Sequence, residues 1–327
     1  MILAIEETIA PDEAALATEF IAFLKRASAA RERGSGGQVL RFNQGRATGC
    51  VDAELTVADS LPESLRVGLF AVPGTRRALI RFANATSKTD QDRDTRGMAI
   101  TVLDVVGANL TTGQTRQDFV LNSHPVMPAP DAREFLALLK ANEAGTFRRI
   151  VYFATHRRAS SIALASRQHH SCHLDIPYWS TTPYAFGAGR AVKYMVRPTS
   201  GHRSELPKRL TANYLHDALA AHLAGHDASF ELMVQFHVDN TRTPIEDATV
   251  EWTEADAPWH AVARIRIPKQ QVDDAARNAR CEQMAFNPWH ALAEHRPLGS
   301  MNRARKEIYR AMSEFRRANA PSPQQER

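Results

Sequence analysis

The chain has 327 residues, 43% apolar and 24% charged, which is ordinary for a soluble protein and enough to bury a large core around a cofactor. A net charge of +5, from 41 basic and 36 acidic residues, gathers between Arg296 and Arg317 without the aromatic-basic repeat or finger spacing of a nucleic-acid binder, so nucleic acid is excluded as a partner. Cys50, Cys172 and Cys281, odd in number and far apart, give no disulfide framework and suit a reducing cytoplasm; neither a basic leader nor a run near ~20 apolar residues argues for secretion or a membrane span.

Residues 11 to 33 predict an amphipathic helix, started by Pro11 and Asp12, with Leu16, Phe20, Phe23 and Leu24 at helical spacing. It is either a lipid- or oligomer-facing arm or a helix packed on the outside of the domain. Gly34-Ser35-Gly36-Gly37 ends it, setting residues 1–38 apart as an arm. Val39 to Cys50 reads as a loop feeding a strand at Ala53 to Val57. Further strands are predicted at 77–84, 98–103 and 117–126, then a helix at 130–144. Residues 145 to 175 are mixed and basic. Their His169-His170-Ser171-Cys172-His173 tract holds zinc-type ligands, but adjacent residues cannot all converge on one ion. A loop and an alternating strand follow over 176–198. A helix is predicted at 206–225, with His216, His222 and His226 read as surface residues, and strands at 230–238 and 261–267. The Pro/Gln/Ser-rich end, 319–327, reads as disordered.

The last helix carries Arg305-Lys306-Glu307-Ile308-Tyr309. Arg305 and Tyr309 are four apart and share a face. A phenol beside a guanidinium loses its proton more readily and becomes a hard anionic ligand suited to ferric iron.

The order of motifs from about Leu40 to Arg317 resembles the catalase superfamily. Arg81-Phe82-Ala83-Asn84 followed by Arg93-Asp94-Thr95-Arg96-Gly97-Met98-Ala99 is similar to that family's R-F-S and R-D-x-R-G-F-A signature. Phe286-Asn287-Pro288, Pro297-Leu298-Gly299 and Arg305 to Tyr309 are similar to its haem-ligand segment. Pro183-Tyr184-Ala185-Phe186-Gly187 and Val192-Lys193-Tyr194 are similar to a strand pair of its barrel. The resemblance implies an α+β fold, a catalase-like antiparallel β-barrel with surrounding helices over 39–318. It also implies haem b between barrel and C-terminal helix, with Tyr309 as axial ligand to the iron and Arg305 beside it. Arg41 and Arg81 would meet the propionates, with Arg316 a third candidate.

The chain departs from the pattern on the distal side. Arg41 matches the arginine of the family's R-x-x-H, but Gln44 stands in the histidine's place, next to Asn43. Where the family has N-N-x-P, this chain reads Asn122-Ser123-His124-Pro125. Which of Asn43, Gln44, Asn122 and Ser123 face the iron stays open. An amide cannot carry a proton, and general acid–base help is worth roughly 10²–10⁴-fold, so hydrogen peroxide is expected to turn over slowly. Homolytic cleavage of an organic or fatty-acid hydroperoxide needs no proton shuttle from the protein. The expected activity is therefore an isomerase, dehydratase or peroxidase acting on such a lipid hydroperoxide. A haem-binding or sensing protein without turnover, and a barrel that has lost haem, are the other readings. A homodimer is compatible with all three.

Overall fold

The computed structural model describes residues 5, 7–33 and 39–319. The expected tail lies outside them except for Asn319, as does the Gly34–Gly37 loop.

The described residues form nine strands: β1 (Ala47–Val57), β2 (Gly74–Asn84), β3 (Arg96–Val102), β4 (Gln117–Asn122), β5 (Tyr178–Trp179), β6 (Tyr184–Ala185), β7 (Ala191–Pro198), β8 (Ala228–Phe236) and β9 (Trp259–Ile267). Every pairing is antiparallel. The ladder runs β5-β4-β3-β2-β1-β9-β8-β7, and β5 pairs with both β4 and β7, which closes an eight-stranded barrel; β6 extends β7. Closure leaves no long free edge. Inside are Ile80 and Phe82 of β2, Met98 and Ile100 of β3, and Phe119 and Leu121 of β4, part of one large apolar core. The odd-numbered set on β2, Leu79 and Arg81, therefore faces outward, and the register carries that face across to Ala99 and Val120.

Among the described residues seven helices surround the barrel: α1 (Glu13–Arg33), α2 (Ala132–Glu143), α3 (Thr146–Thr155), α4 (Arg157–Ser166), α5 (Tyr214–Gly225), α6 (Ala275–Gln283) and α7 (Ser300–Ala318). The α1 stripe Leu16, Phe20, Phe23 and Leu24 packs with Leu136 and Leu139 of α2 and Ile308 of α7, so its apolar face is buried against its own chain. Among the described residues no helix is long and apolar enough to cross a membrane.

Several local readings change, among them His222 of α5, expected at the surface and found buried. β1 starts at Ala47, not Ala53, because its glycine-containing first half pairs with β2, Cys50 opposite Arg81. α5 starts at Tyr214, because its free N–H groups at Leu215 and His216 donate to the buried carboxylate of Asp90, a remote partner that local spacing cannot reveal. The expectation of no disulfide is overturned. Cys50 and Cys281, 231 residues apart in sequence, form one with their Cα atoms 6.5 Å apart, which removes the ground for assigning a reducing compartment. Cys172 remains a buried thiol, pushed up to about 12 by burial.

α7 is anchored at both sides of its start. Asn302 donates to Pro183 O at 2.9 Å, and its Oδ1 accepts from Thr182 and Arg305. Arg303 pairs with Glu7, Glu13 and Glu246. Gly299 precedes the helix at φ 83°, and a Cβ there would lie 2.5 Å from the backbone oxygen of Ile245. Gly299→Ala should therefore cost about 1–3 kcal/mol and lower the melting temperature by several degrees; a melting curve that overlays the parent would contradict this placement.

Candidate functional site

A cavity of about 810 Å³ lies between the outer face of the barrel and helices α1, α2 and α7. Its size is within the range of cofactor sites. The floor is the outward face of three strands, with Arg81, Ala99, Val120 and Asn122 in register. The small Gly97 and Ala99 leave that face flat. Gln44 occupies the space above Gly97: a Cβ on the glycine would lie 2.4 Å from the Gln44 amide. Gln44 takes a left-handed backbone, φ 56°, held by its N–H donating to Ala85 O at 2.7 Å and by Arg81 donating to its carbonyl at 3.0 Å. Its side-chain amide donates to Asn122 Oδ1 at 3.2 Å.

The roof is one stripe of α7: Met301, Ala304, Arg305, Ile308, Tyr309, Met312, Ser313 and Arg316. These recur every three or four residues, so a single helix face covers the cavity. Tyr309 is half-buried and packs on the α1–α2–α7 cluster. Arg305 lines the cavity but donates to Thr182 Oγ1 at 3.2 Å and Asn302 Oδ1 at 3.1 Å, with no hydrogen bond to Tyr309 among the described residues. The turn before α7 is fixed from the barrel: Asp118 of β4 accepts from Asn287 N at 2.9 Å and lies 2.8 Å from the His290 ring.

One end of the cavity concentrates positive charge. Arg41, Arg81 and Arg316 all line it, and Glu282 is a carboxylate beside the first two. Glu282 binds both Arg41 and Arg81, while Arg316 donates to Met284 O at 3.0 Å. Arg81 is 2% exposed, and its Nη2 has no hydrogen-bond partner among the described residues. Burial, then repulsion from Arg81, pulls Arg41 down to about 9 against the opposing pull of Glu282; it stays protonated at neutral pH. Burial likewise lowers Arg316. Buried charge left uncompensated in this way is costly, and an anion bound here would relieve it.

The disulfide explains how Glu282 comes to this place. Cys50 is the cross-strand partner of Arg81, and Cys281 precedes Glu282, so the Cys50–Cys281 link sets α6 beside the arginine.

Of the residues singled out in the sequence, Arg41, Asn43, Gln44, Arg81, Asn122, Arg305, Tyr309 and Arg316 all line this cavity. Ser123 does not: its hydroxyl accepts from Arg96 N at 2.8 Å and its own N–H donates to Arg96 O, so it serves the β3 edge. Arg96 of the R-D-T-R-G run is likewise structural, while Asp94 both lines the cavity and ties the turn before it. Arg96 is fully buried on Asn84, Asp90 O and Asp92 O, and Asp94 accepts from Thr86 and Ser87. His173 from the His/Cys tract is tied to Thr48 and Tyr178 and stacks on Phe82. Two groups escaped sequence reasoning: Glu282, which ion-pairs with the lining Arg41 and Arg81, and His124, which lines the cavity. Glu282 lay in a helix with few apolar residues. His124 sat in an N-S-H-P run read for its asparagine; it is half-buried in the cavity wall, and burial holds its imidazole below the ordinary value and neutral at pH 7.

Comparison with solved structures defines the class of fold. The chain is similar to a bacterial catalase, at TM-score 0.67 and 15% identity over 88% of this chain and 59% of that one. It is similar to a fungal catalase, at 0.67 and 17% over 90% and 62%. It is similar to catalase A from Saccharomyces cerevisiae, at 0.68 and 16% over 88% and 63%. The fold is catalase-like, and the chain spans about three fifths of the length of these structures. No family model and no curated protein matches the chain.

The Glu282 contacts carry a pH signature. Burial raises its carboxyl, but Arg81 and Arg41 outweigh that and hold it below the ordinary carboxylate value. A carboxyl lowered in the folded state stabilises it above the ordinary value, ~4.3, and this contribution is lost as pH falls through the folded value. Glu282→Gln should lower the melting temperature at neutral pH and flatten the acid-side loss between pH ~5 and ~3. Parallel melting profiles for the two proteins would contradict the assigned contacts.

Proposed function

We propose that this chain is a haem protein that processes an organic or fatty-acid hydroperoxide, with weak turnover of hydrogen peroxide. The observation that carries the reading is the presence, in one cavity, of Tyr309 on the roof together with Arg41, Arg81 and Arg316, of which the first two share the carboxylate of Glu282. The donor set fits haem b. Tyr309 is the phenol available as an axial ligand, Arg305 shares its helix face, and Arg41, Arg81 and Arg316 would take the two propionates, beginning with the free Nη2 of Arg81. The small side chains of Ala99 and Val120 on the floor, beside the Gln44 amide that covers Gly97, leave room for a planar ring.

When bound, haem supplies a ferric centre able to cleave a peroxide O–O bond. The remaining work belongs to side chains on the floor. Gln44 and Asn122, joined by their own hydrogen bond, can orient a hydroperoxide by donating or accepting, but neither can hold its proton. His124 also lines the cavity, but burial lowers its imidazole's affinity for a proton, so it takes one less readily than a free histidine. The apolar walls from Phe20, Leu24, Phe135, Leu138 and Leu139 would pack an acyl chain and exclude water.

The second reading, haem binding without turnover, draws its support from the missing distal histidine. Gln44→His separates the two. It should raise hydrogen-peroxide turnover by roughly tenfold or more if Gln44 overlies the reacting position, since a positioned imidazole contributes 10²–10⁴-fold. A Gln44→His protein that holds haem and gains nothing would favour binding alone. Tyr309→Phe should abolish haem retention or move the Soret band of the purified protein; unchanged haem content and spectrum would remove Tyr309 as the ligand.

A further inference from the structure

Helices α3 and α4 and the segment after them, residues 144–174, contain five arginines and no Asp or Glu. α3 buries Tyr152 against Leu138 of α2 and Ala159 of α4. Its outward side carries Phe147, Ile150 and Val151, which share a face by their three- and four-residue spacing. Phe147 is 76% exposed and Ile150 60%, and on α4 Leu164 is 78% exposed. Elsewhere on the described surface large apolar side chains stand out singly, which is normal; here four belong to one helical pair. Arg148, Arg149 and Arg157 are exposed beside them and form no salt bridge among the described residues, whereas Arg158 reaches Asp247. An apolar face flanked by unpaired guanidiniums matches the boundary between acyl chains and anionic headgroups.

The position of this face gives it a purpose. Arg149 and Phe153 of α3 and Ser166 of α4 line the cavity, as do the exposed Leu40 and Arg167. The cavity thus reaches the surface at the basic, apolar helix pair. We infer that α3 and α4 seat the cavity mouth on an anionic phospholipid bilayer, from which an acyl substrate enters without crossing water. Delivery of such a substrate rests on the haem-cavity reading above; contact with the bilayer does not.

Co-sedimentation of the full chain with vesicles tests the contact. The protein should pellet with phosphatidylcholine vesicles containing phosphatidylglycerol, much less with phosphatidylcholine alone, and less as salt rises. Arg148→Gln with Arg157→Gln should weaken binding roughly thirtyfold, at about five- to sixfold for each charge. Phe147→Ser with Leu164→Ser should abolish it while leaving the circular dichroism spectrum and melting temperature at parent values. A parent that stays in the supernatant with both vesicle types overturns the inference, as does binding that survives the Phe147→Ser/Leu164→Ser change. So does a concentration-dependent dimer in light scattering that this double change disperses while no vesicle binding is seen, for then a second copy covers the face. Haem content measured on the same samples keeps the two claims apart: a colourless protein that pellets refutes the cofactor, and a haem-loaded protein that does not pellet refutes the docking.

Discussion

An imbalance of charge organises this molecule. Three guanidiniums, from Arg41, Arg81 and Arg316, line one cavity, and the carboxylate of Glu282 pairs with the first two. Folding alone leaves that group positively charged and Arg81 incompletely bonded. Buried cations in this state are stable only when the surrounding structure holds them in place. Here the holding is done by β2 for Arg81, by the Cys50–Cys281 link for Glu282, and by α7 for Arg316. A dianionic ligand with a flat apolar body satisfies all of these constraints at once.

The barrel and α7 make different contributions to the site. The barrel offers a rigid face whose alternation puts small residues outward at Gly97 and Ala99, and it fixes the Gln44–Asn122 pair on that face. α7 offers a stripe of which Tyr309 is the one oxygen-bearing aromatic member. Its position is locked by contacts at its first turn, through Asn302 and Arg303, well away from the tyrosine. The α1 helix completes the wall, so the arm set apart in the sequence is part of the cavity that Tyr309 lines.

The legible parts of the chain were those whose signals are local. Period-two alternation marked the second half of β1, β7 and β8, and the helical spacing of α7 placed Arg305, Tyr309 and Arg316 on one side. The parts that were not legible depend on partners far away in sequence. Asp90 sets where α5 begins; Cys50 finds Cys281 across 231 residues; Glu282 matters only because that link carries it to Arg81. Ser123 and His124 show a different limit. Adjacent residues after the end of β4 point to different environments, and no pattern in N-S-H-P tells which one the cavity receives.

Crystals grown with haem and measured at the iron absorption edge would test the central claim most directly. The account predicts one anomalous peak within bonding distance of Tyr309 Oη, with propionate density against Arg41, Arg81 and Arg316. A peak bound to another side chain, or a cavity that stays free of haem in crystals soaked to saturation, would contradict it.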